Sequence, residues 1–185
     1  MEDIENLSGT QPYHRPLVNM YSYYLYDIGA PDQYTEWVDK IRSAGSNDII
    51  KIHINSYGGD LFSAIQLLRA ISESPAKIIT SVEGACMSAA TMVFLASDQY
   101  EVSPHSMFMF HNYSGGTFGK GGEMLDQLQH EREWSEKLLV EMYDGFLTDR
   151  EIQSLLDNKD IWMDGDEVIK RLSKKVKKKV KQTKK

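Results

Sequence analysis

The sequence predicts an α/β domain with a largely parallel sheet. Three observations carry this expectation. Short runs of β-forming residues recur with helical stretches between them, as βαβ units require. The run "IIKIHIN" (49–55) alternates apolar and polar side chains, the period of a strand. Leu61, Ile65, Leu68 and Ile71 recur at the spacing of one helix face.

The elements follow in chain order. "MYSYYLYDI" (20–28) is rich in aromatic and β-forming residues and reads as a strand, broken by "GAPD". In 31–45, Tyr34, Val38 and Ile41 lie at helical spacing, with Gly45 as the expected C-cap. The strand 49–55 runs into the turn "SYGGD", and the helix 61–74 stops before Pro75. "KIITSVEG" (77–84) is the next strand, followed by the small-residue turn "GACMS" and a helix over 88–97. "YEVSP" and "SMFMFHN" read as two short strands, and "YSGGTFGKGGE" (113–123) is a glycine-rich connection. Residues 123–146 contain no proline and predict a long helix of about 35 Å. "LTDREIQSLLDN" opens with a Thr148 cap and Glu151 in the capping-box position. "DGDEVIKRLS" is a last short helix.

Composition narrows the classes. The chain has 185 residues and no internal repeat, which suits one domain with its own core. No stretch approaches 18 consecutive apolar residues, so a membrane span is not expected. The leader "MEDIENLSGTQPYHRP" is acidic and polar, unlike a secretory signal. Cys86 is the single cysteine, so no intrachain disulfide can form and a reducing, cytoplasmic setting is expected. The net charge of −6 hides an asymmetry: residues 173–185 hold eight lysines and no acid. The other 13 basic residues stand against 27 acidic ones, which argues against a dedicated nucleic-acid protein. Runs of like charge are usually solvated tails. The expected organisation is a polar segment 1–19, a catalytic body 20–172 and a flexible lysine-rich tail 173–185.

Several chemistries lack their motifs. There is no H-E-x-x-H, no cysteine pair and no Gly-Lys-Ser/Thr phosphate loop, so neither metal nor cofactor is expected. "GTFGKGG" has the glycines of such a loop but not its ending. Ser88 is placed otherwise, at the expected start of a helix after a strand and turn. Backbone N–H groups there are unpaired and partly positive, so they can stabilise an oxyanion beside a nucleophile. The plainer reading is an N-cap. The flanks of Ser88 are not those of the G-x-S-x-G elbow. In "NSYGGD", Gly58 and Gly59 allow positive φ and close approach of another chain. If the N–H of Gly59 faces the same cleft as that of Ala89, the two form an oxyanion hole. Cys86 is a rival nucleophile, although a buried lone cysteine is usually inert.

A serine nucleophile needs a base. His14 lies in the polar leader, His53 within a strand, His105 beside Pro104 in a turn, and His130 among charges on the long helix. His111 ends the apolar run "MFMF" and would project from a strand end into a cleft. The base needs an orienting acid. Asp160 is expected to be partly buried, with Asp157 and Asp164 as less constrained rivals.

Four blocks in this order, "INSYGGD", "GACMSAATMVFLAS", "MFMFHNYSGG" and "DIWMDGDEVIKR", resemble the proteolytic subunit of the Clp protease over roughly residues 49–172. The resemblance implies a crotonase-like ββα spiral with the long helix as a protruding handle. It implies a serine endopeptidase with Ser88, His111 and Asp160 as its triad and Gly59 and Ala89 as its oxyanion hole. Gly58, Asn112, Gly115 and Gly116 are implied to bind substrate, with 113–122 pairing to it as an added strand. It further implies heptameric rings stacked as a tetradecamer, peptides or unfolded proteins as substrates, and an ATP-dependent unfoldase as a possible partner. Tyr57 stands where that family usually has proline, and residues 1–19 lack its hydrophobic N-terminal segment. In this the chain resembles the divergent branch found on phage genomes, which implies the host cytoplasm. Two rivals remain: a crotonase-type enzyme acting on acyl-CoA, which needs no serine triad, and a catalytically silent ring subunit.

Overall fold

The computed structural model describes residues 17–182, with side chains as far as Lys174. His14 and the whole of that acidic leader lie outside the described residues. Strand β1 (Met20–Leu25) pairs in parallel with β2 (Ile49–Ser56), and β2 in parallel with β3 (Lys77–Met87). The first half of β3 pairs with β4 (Gln99–Val102) and its last residues with β5 (Met107–Phe110), both in parallel. An antiparallel strand, β6 (Ile161–Asp164), closes the edge against β5. Six helices accompany this sheet: α1 (Thr35–Ser43), α2 (Leu61–Glu73), α3 (Ala89–Leu95), α4 (Gly121–Tyr143), α5 (Asp149–Leu156) and α6 (Gly165–Gln182).

The predicted alternation sorts faces as expected in β2, where Ile50, Ile52 and Ile54 are fully buried. Tyr34, Val38 and Ile41 also face the core, but Tyr34 belongs to a 3-10 turn, Pro31–Tyr34, that leads into α1. Gly45 is not the C-cap; Ala44 holds that position in extended conformation. The Gly45 N–H goes to the Asp48 carboxylate instead. In α2 the buried stripe is Ala64, Leu67, Ala70 and Ile71. Leu61, Ile65 and Leu68 are only half-buried. The helix is apolar on more than one side, so sequence spacing found one edge of the buried face, sharing Ile71 with it.

Strand β6 was not anticipated from its four residues, one of them the exposed Trp162. It gains its place by pairing with β5. The lysine-rich run also differs from expectation, since α6 continues through it to Gln182. Lysine is a good helix former, and cations suit a helix C-terminus. Val176 and Val180 extend the four-residue spacing of Val168 and Leu172.

A bulge in β3 sets up the site. The β2–β3 register slips between Ile54 and Ser56, from Ile54 opposite Val82 to Ser56 opposite Cys86. The Ala85 N–H freed there donates to Asn55 Oδ1 at 2.9 Å. Bulges re-aim a strand, and this one carries β3 on to Ser88.

Candidate active site

Ser88 is the junction between β3 and α3, and its backbone is held at φ 56°, ψ −133°. A non-glycine residue there carries strain of roughly 1–3 kcal/mol, which persists only where its surroundings enforce it. Its N–H donates to Met109 O at 2.8 Å, tying it to β5. Two residues further on, His111 leaves the end of β5. The parallel register of β3 with β5 thus brings together residues 23 apart in sequence: His111 Nε2 lies 2.6 Å from Ser88 Oγ. Ser88 occupies the N-cap position but makes no capping bond with its side chain. The hydroxyl is turned to the imidazole instead.

Gly58 and Gly59 follow β2 at φ +98° and +138°. Ile28 clamps this turn: its N–H donates to Gly58 O and its carbonyl accepts from Asp60 N. The Gly58 N–H donates to the buried Ser56 Oγ at 3.0 Å. Both backbone groups of Gly58 are therefore engaged within the protein, so what it offers the site is room. A Cβ there would stand 2.5 Å from Ser88 Cβ. The N–H groups of Gly59 and Ala89 have no acceptor among the described residues. Both residues line one cleft with Ser88 and His111, of about 530 Å³. Two unpaired donors beside a hydroxyl–imidazole pair can stabilise an oxyanion formed when that hydroxyl attacks a carbonyl.

Asp160 differs from expectation in its burial. It is exposed, and its carboxylate makes no hydrogen bond to His111. Its position is nonetheless specific. Phe110 pairs with Ile161 across β5 and β6, so the antiparallel register carried one pair further sets Asp160 opposite His111. The rival carboxylates have other partners. Asp164 Oδ1 accepts from Glu167 N at the start of α6, and Asp157 Oδ1 accepts from Gln153 Nε2.

The remaining candidates sort in the same way. His53 Nδ1 meets Glu83 Oε1 at 2.6 Å, with its ring stacked on Tyr24 across the sheet. His105 is exposed in the turn after β4. Cys86 is fully buried, and burial pushes its thiol well above the ordinary range, away from the reactive thiolate. Asn112, Gly115 and Gly116 all line the cleft. Asn112 Nδ2 is tied to Asn158 Oδ1 at 3.0 Å, while 111–120 has no regular structure.

One wall of the cleft was not read from the sequence. It comes from α4, through His130, Glu131, Trp134 and Leu138. Trp134 stacks on Phe62 of α2 with ring centroids 5.6 Å apart. Met92 of α3 adds an apolar side chain. The signal was present, since 131, 134, 135, 138 and 139 fall on one helical face.

The Clp protease family model matches residues 33–171, about three quarters of the chain. The ATP-dependent Clp protease proteolytic subunit 1 of Salinibacter ruber is 28% identical over 131 residues, covering 69% of this chain and 55% of that relative. The chain thus spans about half the length of the curated relative it matches. With its mixed six-stranded sheet and six helices in that crotonase-like fold, the chain belongs to the Clp protease family.

Proposed function

We propose that this protein is a serine endopeptidase that cleaves peptides or unfolded proteins through an acyl-enzyme at Ser88. The observation that carries the reading is the 2.6 Å contact between Ser88 Oγ and His111 Nε2, made by a serine in strained backbone conformation. The Ser88 proton passes to His111 as Oγ bonds to the scissile carbonyl carbon, and that carbonyl becomes an oxyanion facing the N–H groups of Gly59 and Ala89. Collapse of the adduct expels the amine, which takes the proton from His111. Water then attacks the ester by the same route and frees Ser88. Asp160 is the acid that orients the imidazole. In substrate-free sites such hydrogen bonds are often long and tighten on binding.

In this reading residues 20–172 form the catalytic body. Substrate lies extended along 113–122, contacting Asn112, Gly115 and Gly116, with its side chains towards the apolar wall of Met92, Trp134 and Leu138. The family membership supports assembly into rings that work with an ATP-dependent unfoldase; the reading takes these as heptamers stacked in pairs, in the cytoplasm. Labelling with a fluorophosphonate tests the chemistry. The expected result is modification at Ser88, absent in Ser88→Ala, with peptide hydrolysis reduced by about 10³-fold or more. An assembled wild-type particle that takes no label and cleaves no fluorogenic peptide sinks the reading in favour of a silent subunit. Particle mass by sedimentation and cell fractionation test the assembly and the compartment.

A further inference from the structure

The peptide group that joins Ser88 to Ala89 is held from behind by a buried relay. Thr91 Oγ1 donates to the Ser88 carbonyl oxygen at 2.6 Å, and the Thr91 N–H reaches the same oxygen at 3.0 Å. A threonine hydroxyl has one proton, and here it is committed to that carbonyl. In the 2.7 Å contact between Thr91 Oγ1 and the Tyr143 hydroxyl, the phenol is therefore the donor. Thr91 and Tyr143 are both fully buried, and the Tyr143 ring meets Phe110 edge-on at 5.4 Å. Burial pushes the Tyr143 phenol up from its ordinary pKa, so it stays protonated and able to donate.

The geometry has a consequence at the other end of the same peptide. In a trans peptide the C=O and N–H point in opposite directions. Two donors holding the Ser88 oxygen on the α3 side direct the Ala89 N–H the other way, into the cleft that Ser88 and Ala89 line. An amide whose oxygen accepts hydrogen bonds is also polarised, which strengthens its N–H as a donor. The position needs such support: Ser88 is strained at φ 56°, and it makes no capping bond of its own. Threonines near a helix start often bond back to the carbonyl three residues earlier. That habit does not require a second buried hydroxyl from a distant helix, yet Tyr143 of α4 supplies one.

We propose that Thr91, supported by Tyr143, is a positioning residue for the oxyanion: it sets the Ser88–Ala89 peptide plane so that the Ala89 N–H meets the developing negative charge. This rests on the reading of Ser88 as the acylated residue. The test compares Thr91→Val, close in shape but without the hydroxyl, with Thr91→Ser, which keeps it, and with Tyr143→Phe. The readouts are kcat and KM on a fluorogenic peptide, affinity for a peptide boronate and thermal unfolding. The boronate's tetrahedral adduct puts an oxygen in the oxyanion site.

Loss of a whole oxyanion donor costs about 10²–10³-fold, so a misaimed one in Thr91→Val is expected to lower kcat about 10–100-fold. KM should stay within about twofold, and boronate affinity should fall in step with kcat, since only the transition state uses the donor. Thr91→Ser should restore most of the loss. Tyr143→Phe should cost less, and add little in the Thr91→Val background because the two act as one unit. A Thr91→Val enzyme with wild-type kcat and boronate affinity overturns the proposal. So does a loss that Thr91→Ser fails to restore. Should Thr91→Val not fold, Tyr143→Phe decides: lowered kcat at unchanged KM supports the role, and wild-type kcat overturns it. Failure of the acyl-enzyme reading is visible separately, as wild-type protein that takes no fluorophosphonate at Ser88, and it removes the positioning role as well.

Discussion

At the residue scale, the question is what occupies the space beside Ser88 Oγ. Gly58 leaves that space open, and any side chain there would close it. A Cβ on Gly58 would stand 2.5 Å from Ser88 Cβ and 3.0 Å from its Oγ, on a backbone at φ +98°. Gly58→Ala must move the hydroxyl or the turn. A displacement of about 1 Å costs on the order of 10²-fold in rate, and that loss is expected in peptide hydrolysis. Gly145→Ala is the matched control. Gly145 lies at φ +72° with open space around its added Cβ. It should therefore cost roughly 1–2 kcal/mol of stability, from the left-handed backbone alone, and leave hydrolysis unchanged. Equal rates in the two variants would show that Gly58 is only a turn residue. The sequence exposed both glycines of the turn and the small residues around Ser88. It also pointed to His111 among the five histidines, by its place after the run "MFMF" and by the family resemblance, but the 2.6 Å contact with Ser88 depends on the register of β3 with β5.

Among the elements, α5 and α6 are joined by the clearest electrostatic device. The predicted capping box of α5 is present, with Thr148 and Glu151 bonded reciprocally. Glu151 also accepts both terminal nitrogens of Arg171 from α6 at 2.8 Å. The Arg171 guanidinium, with Thr148, holds the Glu151 carboxyl at about 2, below its ordinary 4.5. A carboxyl lowered on folding stabilises fully above its unfolded pKa, and that stability is lost as pH falls from about 4.5 towards 2. Solvent screening of this partly exposed pair keeps the contribution near 1 kcal/mol. Arg171→Gln should lower stability at pH 7 by about that amount and flatten the dependence between pH 5 and 2. Thermal unfolding across that range would show it, and an unchanged acid slope would refute the assignment. The cap was legible because it is local: four consecutive residues suffice to specify it. Its partner Arg171 was not, because nothing in a sequence twenty residues away says which acid it will meet.

At the scale of the whole molecule, α4 is the most exposed of the long elements: within it only Ser135, Leu139 and Tyr143 are buried. Leu125 and Leu128 are exposed in its N-terminal half at 68% and 42%. If stacked rings meet there, a double substitution, Leu125→Glu with Leu128→Glu, should leave the fold and monomer stability unchanged yet halve the particle mass in sedimentation. A full-size particle from that variant would move the contact elsewhere. The sequence by itself determined what is periodic or contiguous. That covers the α/β class, most strands and helices, the α5 cap and the blocks that carry the family resemblance. Each depends on neighbours a few residues apart, where spacing and propensity act directly. Only the tertiary structure decided which side chains converge. The bulge in β3 and the β3–β5 register set Ser88 against His111, and the unforeseen strand β6 ends its pairing with β5 one residue short of Asp160. Helix α4 brought Trp134 to that cleft and Tyr143 to the buried Thr91 behind it. Those contacts join residues that chain connectivity leaves free, and the pairing of strands and the burial of helix faces select one arrangement among them.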